Sequence, residues 1–168
     1  MNADEAQQVA DNFKLLLTDY SVDLANKVMT SDVVDYSDSV DFLIKKSGVG
    51  TPVPYGTPVF SSRADFEAGQ GTQPDIPFQQ QQIWHTCKTV MFRWQSPQTP
   101  NLVTGIVVIE TEKAPAGSEE CYLMKTIYSE FNSGGWLENA GTLTFTPISN
   151  ATLGSTKRNL DRDIAIPL

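Results

Sequence analysis

Three long strand candidates joined by short turns constrain the fold of this chain most strongly. They run over Gln82–Gln95, Val103–Lys113 and Tyr122–Asn132. The first turn reads Ser-Pro-Gln-Thr-Pro and the second reads Ala-Pro-Ala-Gly-Ser. Connections this short usually join neighbouring strands that run in opposite directions. The three segments therefore predict an antiparallel meander.

The part of the chain before the meander predicts helices. Apolar side chains between Ala6 and Tyr20 recur every three or four residues, which places them on one face of a helix. A second, shorter helix follows, then strand-forming residues over Val33–Tyr36, and a third helix over Arg63–Ala68. This order predicts an α+β fold in which a curved antiparallel sheet wraps around the N-terminal helix. We expect such a sheet to leave an apolar hollow at its open end.

The net charge of the chain and the lack of a long apolar stretch limit the kinds of partner that we expect it to bind. The 168 residues carry a net charge of −8, which disfavours nucleic acid and anionic membrane surfaces as partners. No stretch approaches the roughly 20 apolar residues that cross a bilayer. Because Met1–Glu5 is acidic, it is unlike a signal peptide, so we expect a soluble chain, either cytoplasmic or a trimmed secreted form. We predict one domain over residues 1–145 and a C-terminal extension over residues 146–168.

Several local patterns resemble the NTF2-like (SnoaL-like) superfamily, and most closely its small fungal domain proteins. Besides the amphipathic first helix, they are Asp32–Tyr36, Arg63–Glu67, Tyr128–Asn132 and Gly135–Leu137. The resemblance covers about residues 4–145 and implies a cone built from a strongly bent sheet, the N-terminal helix and two further short helices. Members of this superfamily include isomerases, dehydratases, cyclases, epoxide hydrolases and non-catalytic binders.

The resemblance also implies roles for single residues. Tyr36 is similar in position to the tyrosine that orients substrate in scytalone dehydratase, and Asn132 to a polar residue at the end of the last strand in related enzymes. Two departures leave the reaction open. The dehydratase uses two histidines, whereas this chain has only His85. The Arg–Asp pair of the epoxide hydrolases is missing, since Arg93 precedes Trp94 and Gln95.

Strict alternation along the last strand predicts which side chains line the pocket. It places Tyr128, Glu130 and Asn132 on one face with Tyr122, Met124 and Thr126. A face that mixes aromatic, polar and ionisable groups is typical of a ligand cavity. Glu130 is therefore our first candidate for acid or base catalysis. The alternative is that Glu130 pairs with Arg93 or a lysine at the surface, or faces a dimer partner.

Asp38 and His85 are the other candidate catalytic residues. Alternation places Asp38 on the face of Tyr36, where the two side chains could hold a polar ligand group together. His85 is the only histidine, and its alternative role is a packed, hydrogen-bonded side chain beside Trp84. Without a second histidine we expect no metal site of the usual kind, and we expect no cofactor.

Aromatic side chains complete the predicted ligand site. Trp94, Tyr128 and Trp136 are candidates for stacking on a flat ligand, with ordinary core packing as the alternative.

Three functional hypotheses remain. The first is a cone that encloses a small apolar or aromatic molecule and acts as a cofactor-free isomerase, cyclase or dehydratase, and hence a lyase, of secondary metabolism. The second is a non-catalytic ligand-binding or protein-interaction module that works through the cavity or the outer face of the sheet. The third is a homodimer that buries an outer sheet face bearing Met91, Ile127 and Phe131.

The position of the candidate carboxylates separates these hypotheses. Catalysis requires at least one carboxylate inside the cavity, within hydrogen-bond reach of a polar partner. If Glu130, Asp38 and His85 all face solvent, the catalytic assignment of these residues loses its support.

Overall fold

The computed structural model describes residues 1–48 and 50–144, and these form one five-stranded sheet with five helices. The predicted extension over residues 146–168 lies outside the described residues. In chain order, the elements are α1 (Ala3–Thr18), α2 (Val22–Val28), β1 (Met29–Tyr36), α3 (Asp38–Ser47), α4 (Arg63–Gln70), β2 (Gln79–His85), β3 (Thr89–Ser96), β4 (Val103–Lys113), β5 (Tyr122–Phe131) and α5 (Ser133–Asn139).

The strand order in the sheet is β1-β5-β4-β3-β2. The pairs from β2 to β5 are antiparallel, as the short turns predict, whereas β1 runs parallel to β5. The predicted α+β class with a curved sheet is confirmed.

Helix α1 forms where the sequence predicts it, because its ends are capped and one face is apolar. The Asn2 side chain accepts a hydrogen bond from the Glu5 amide (2.9 Å), and the Asn2 amide donates to the Glu5 carboxylate (2.6 Å). This reciprocal pair is a capping box, which satisfies amides that the first turn leaves free. The apolar face packs on the concave side of the sheet through Ala6, Val9, Ala10, Phe13 and Leu16.

Aromatic rings fill much of the space between α1 and the sheet. Phe13 meets Phe92 edge to face with ring centroids 5.6 Å apart, and Phe78 stacks on Trp94 at 4.9 Å. Gly105 makes room for this packing, since a Cβ atom there would lie 2.7 Å from the Trp94 ring and 2.8 Å from Phe131 Cβ. Side chains thus occupy much of the region in which the sequence suggests a hollow.

An extra residue in β5 changes which side chains face the core. Thr126 pairs with Glu110 and Met124 pairs with Thr111, so Lys125 has no partner in β4. Such a β-bulge reverses the alternation of side chains beyond it. Ile127 and Ser129 are therefore buried on the concave side, as Tyr122 and Met124 are, whereas Tyr128 and Glu130 are exposed on the convex side. The sequence-based assignment of one face from Tyr122 to Asn132 is wrong for this reason.

One further segment differs from the sequence-based prediction. The segment Gln82–Gln95 is two strands, because the chain turns at residues 86–88. The Thr86 hydroxyl closes this turn by accepting hydrogen bonds from the amides of Lys88 (3.3 Å) and Thr89 (3.1 Å). The sheet consequently has one strand more than the meander suggests.

Helices α3 and α5 were not predicted. Ser37 caps α3 by accepting from the Val40 amide (3.1 Å), so the chain leaves β1 directly into a helix. Asn132 caps α5 in the same way through the Gly135 amide (3.0 Å). Ser37 and Asn132 are residue types that commonly cap helices, but a capping residue alone does not predict a helix.

Candidate functional site

A continuous row of apolar side chains crosses the convex face of the sheet. Strand register makes neighbours of Trp84 and Met91, of Met91 and Val108, of Val108 and Tyr128, and of Tyr128 and Tyr36. We call these five residues the apolar row. Trp84 is 49% exposed and Tyr128 is 41% exposed, and the rings of Tyr36 and Tyr128 stack with centroids 5.3 Å apart.

Polar and charged residues border the apolar row on both sides. One adjacent row consists of Arg93, Ile106 and Glu130, and the other contains Glu110 between Thr89 and Thr126. Ile106 is 55% exposed and extends the apolar surface. A depression of about 360 Å³ adjoins it, lined by Arg93, Thr104, Gly105, Ile106, Glu130 and Phe131.

The Glu130 carboxylate binds the N-terminus of α3. Its Oε1 atom accepts a hydrogen bond from the Asp38 amide (2.9 Å), and Oε2 accepts from the Ser39 amide (3.0 Å) and from the Ser39 hydroxyl. A negative charge at a helix N-terminus is favourable because the first amides there lack partners in the helix. The described contacts therefore give Glu130 a structural role.

The other two candidate catalytic residues are also exposed. Asp38 is the first residue of α3, and its carboxylate accepts from the Gly56 amide (2.7 Å). It lies close to Glu130, at a second depression of about 280 Å³ lined by Asp38, Ser39, Phe42, Tyr55, Glu130 and Ser133. His85 ends β2 at the opposite edge of the sheet from β1, with Nδ1 3.3 Å from the Thr86 carbonyl oxygen.

The predicted ligand-binding residues are divided between the two sides of the sheet. Tyr36 and Tyr128 stack on the convex face, whereas Trp94 is buried on the concave side. Trp136 is half-buried and packs on Phe131, with ring centroids 5.5 Å apart. Asn132 caps α5. Of these five, only the two tyrosines contact each other through their rings, and the roles assigned to all five stay predictions.

Asp35 is a residue that the sequence analysis did not select. It pairs with Ile127 in the register of β1 and β5, shares the concave face with it and is only 5% exposed. Its Oδ1 atom has no hydrogen-bond partner among the described residues. Burial, and secondarily the negative charge of Glu130, raise the pKa of this carboxyl from 3.8 to about 7. The alternation of buried Val33 and Asp35 with Val34 and Tyr36 was the signal available in the sequence.

The described residues bring together no group of three or more histidine, cysteine, aspartate or glutamate side chains able to hold a metal ion. Across residues 1–48 and 50–144, no helix combines the length and the apolar character that a membrane span requires.

A family model for the NTF2-like domain matches residues 1–143. The chain belongs to the NTF2-like domain family. Comparison of this NTF2-like chain with curated protein sequences gives no match.

Solved structures with the same fold are distant in sequence. IdmH from Streptomyces antibioticus, a proposed polyketide cyclase, is 12% identical with a TM-score of 0.55, and the match covers 81% of this chain and 98% of IdmH. A proposed polyketide cyclase from Bacillus cereus is 10% identical (TM-score 0.58), with 84% of each chain covered.

A third neighbour is a protein from Catenulispora acidiphila with a ketosteroid isomerase-like fold, solved in complex with trimethylamine. It is 10% identical (TM-score 0.57), and the match covers 83% of this chain and 98% of that protein. At these identities the three structures show that the fold of the NTF2-like chain is shared, and its activity is a separate question.

Proposed function

We propose that this NTF2-like domain is a protein-interaction module that works through the convex face of its sheet. The observation that carries the proposal is the apolar row, which spans all five strands and adjoins exposed Ile106. Contiguous exposed apolar surface with a polar rim is typical of sites that bind other proteins. Stacked aromatic rings supply the kind of rigid contact surface that interfaces favour.

The exposure of the candidate catalytic residues also supports this proposal. Glu130, Asp38 and His85 all lie at the surface, and the Glu130 carboxylate accepts hydrogen bonds from the first two backbone amides of α3. Proton transfer to an apolar ligand would require such a group inside a cavity. These three positions therefore favour the non-catalytic hypothesis over catalysis by these residues.

We also propose that the occupant of the convex face is a second copy of the chain, so that the domain functions as a homodimer. A symmetric dimer buries the same patch of both subunits, which removes the exposed apolar surface of each at once.

Hydroxyl-radical labelling read by mass spectrometry tests whether the convex face is an interface. We expect oxidation of Trp84, Met91 and Tyr128 to slow as the concentration of the full chain rises. Leu15, which is 39% exposed on α1 at the other side of the sheet, serves as the internal control and should keep a constant rate. Equal rates at all concentrations for the residues of the apolar row would refute binding of a second copy there.

Asp35 supports a second candidate function. A buried carboxyl with an unpartnered oxygen, facing the helices that cover the sheet, is the kind of group that transfers a proton to a small apolar or aromatic molecule. Two neighbours in fold are proposed polyketide cyclases, and a cofactor-free isomerase, cyclase or dehydratase would need such a group.

Binding of 2-naphthol, a flat molecule with one hydroxyl group, tests this second candidate. A hydrogen bond from the hydroxyl to the Asp35 carboxylate should make the wild type bind about tenfold more tightly than Asp35→Asn at pH 8. Asp32→Asn, an exposed change on the same strand, is the control and should bind as the wild type does. Equal affinity of the wild type and Asp35→Asn would reject Asp35 as the ligand-facing group.

A further inference from the structure

We infer that two copies of this chain join edge to edge through β2, antiparallel and about a two-fold axis at Trp84, so that their two sheets become one continuous sheet. This pairing uses the free edge of the sheet. It leaves the convex face, on which the function proposed above depends, open in both copies.

The two edges of the sheet, β1 and β2, differ in how the rest of the chain covers them. At β1, the Asp35 amide donates to the Phe60 carbonyl (2.9 Å) and the Asp35 carbonyl accepts from the Val59 amide (2.8 Å). Arg63 also donates to the Met29 carbonyl (3.1 Å). Along residues 1–48 and 50–144, no backbone group bonds to the outer side of β2. An unpaired strand edge of this kind is a template for another strand.

The turn between β2 and β3 determines which backbone groups point outward. The Thr86 amide donates to the Thr89 carbonyl (2.8 Å), so the backbone of Thr86 is directed toward β3. In an antiparallel pair this direction alternates from one residue to the next. Because Ile83 and His85 stand three residues and one residue before Thr86 in the regular part of the ladder, their amides and carbonyls point away from β3.

These outward groups are complementary to those of a second copy in one register. When Trp84 faces Trp84 of the second copy, Ile83 of each copy faces His85 of the other. Every outward amide then meets an outward carbonyl. The two Trp84 residues form the non-hydrogen-bonded pair, in which side chains approach most closely, and cross-strand aromatic pairs are favourable. Trp84 is available for this contact, since it is 49% exposed.

The side chains of β2 favour a second copy of this chain as the partner. The net charge of −8 makes two copies repel each other in general, but β2 is the one strand of the described sheet without Asp, Glu, Lys or Arg. Lysine and proline, which commonly protect strand edges from pairing, are both absent from it. The bulge at Gln81 precedes the stretch from Ile83 to His85 and leaves that stretch regular.

Sedimentation of the full chain over a wide concentration range tests the edge pair. We expect the wild type to associate and His85→Pro to raise the dissociation constant about tenfold or more, because proline lacks the amide that bonds to the second copy. Proline is tolerated on an edge strand where the amide faces solvent, so the β2–β3 ladder should persist. His85→Ala keeps the amide and is the matched control, which should associate as the wild type does. Circular dichroism verifies that both variants are folded.

Disulfide trapping tests the register in a Cys87→Ser/Cys121→Ser background. Trp84→Cys should form a covalent dimer on mild oxidation because the two positions face each other at close range. Leu102→Cys, an exposed change before β4, is the control and should stay monomeric. Cross-linking of Ile83→Cys in place of Trp84→Cys would overturn the axis at Trp84.

The remaining outcomes separate the edge pair from the homodimer proposed above. A wild type that stays monomeric at all concentrations would overturn both. Association that His85→Pro leaves intact would overturn the edge pair, and slower oxidation of Met91 and Tyr128 would then keep the convex-face homodimer. Association that His85→Pro weakens, with constant oxidation rates of Met91 and Tyr128, would support the edge pair and refute the homodimer.

Discussion

Asp35 illustrates how a single buried group sets a property of the folded chain. It lies on β1 with its carboxyl on the concave side, where Oδ1 lacks a partner among the described residues. Its backbone is well satisfied, since the Asp35 amide donates to the Phe60 carbonyl (2.9 Å) and its carbonyl accepts from the Val59 amide (2.8 Å). Only the side chain is costly to bury, and the cost applies to its charged form.

This cost predicts that the folded chain loses stability as the pH rises. Well below pH 3.8 the Asp35 carboxyl is protonated in both the folded and the unfolded chain. Between pH 3.8 and about 7 this carboxyl is ionised in the unfolded chain but stays protonated in the folded chain, where its pKa is about 7. The free energy of unfolding should therefore fall by roughly 4 kcal/mol between about pH 4 and pH 7 and then level off. Urea unfolding at several pH values, with the wild type and Asp35→Asn, measures this.

Asp35→Asn should remove that dependence and be the more stable protein at pH 8. The control is Asp32→Asn, since Lys125 lowers the pKa of exposed Asp32 and the dependence has the opposite sign there. Parallel pH profiles for the wild type and Asp35→Asn would contradict the prediction.

At the scale of single elements, the bulge in β5 decides the two faces of the sheet. Lys125 is the residue without a partner, and everything after it is turned to the other side. Deleting Lys125 should leave a regular strand, because Met124 and Thr126 already pair with consecutive residues of β4. We expect a folded protein that is about 1–2 kcal/mol less stable in urea unfolding, since the local bend is lost.

Deletion of Val108 is the matched comparison in β4. It has no bulge to remove, so it would turn half of that strand's core side chains to the surface. Cooperative unfolding should be lost in this variant and kept in the Lys125 deletion. If the Lys125 deletion and the Val108 deletion were equally unfolded, the bulge would not lie at Lys125.

The N-terminus of α3 depends on a side chain that is distant in sequence. Glu130→Ala removes the acceptor for the amides of Asp38 and Ser39, and we expect a loss of about 1–2 kcal/mol of stability. Hydrogen exchange of these amides should accelerate in the same variant. Glu112→Ala, an exposed change on β4, is the control. Unchanged exchange at Asp38 and Ser39 would mean that Ser37 alone suffices as the cap.

The helices and strands that a local residue pattern determines were predicted well. The faces to which side chains point, which the pairing register of the strands determines, were predicted poorly. Helix α1 and strands β4 and β5 follow from apolar spacing and short turns. The orientation of Tyr128 and Glu130 did not follow, because one unpaired residue leaves no mark on composition or spacing. Helix α3 was missed because the alternation of β1 was extended to Asp38, although Ser37 caps the helix and Gly48 ends it.

At the scale of the whole molecule, the two sides of the sheet differ in how much apolar surface they expose. Helix α1 and the aromatic cluster of Phe13, Phe78, Phe92 and Trp94 cover the concave side, whereas the apolar row is half-buried to exposed and Ile106 is exposed on the convex side. Sequence reasoning predicted the α+β fold and the family. Its first hypothesis assigned the working surface to the concave side because it placed Glu130 and Tyr128 there, whereas the other two left the outer face open.

A dimer held by the convex face predicts that thermal stability depends on protein concentration. Association stabilises the folded state by mass action, so a tenfold rise in concentration should raise the unfolding midpoint by roughly 2 °C. Ile106→Asp should show one midpoint at every concentration, and Val22→Asp, an exposed change on α2, should behave as the wild type. A wild-type midpoint that does not move with concentration would argue against association.

The unpaired residue in β5 has a consequence for how such domains diverge. A relative with the same number of residues in this strand but regular pairing throughout, so that the equivalent of Lys125 has a partner in β4, would turn the equivalents of Tyr128 and Glu130 to its concave side. The same short stretch of sequence would then line a chamber for small molecules in one protein and coat the outside of another. Loss of the bulge with the strand length kept is thus a short evolutionary step between a sheet face that lines a ligand site and one that lies at the surface.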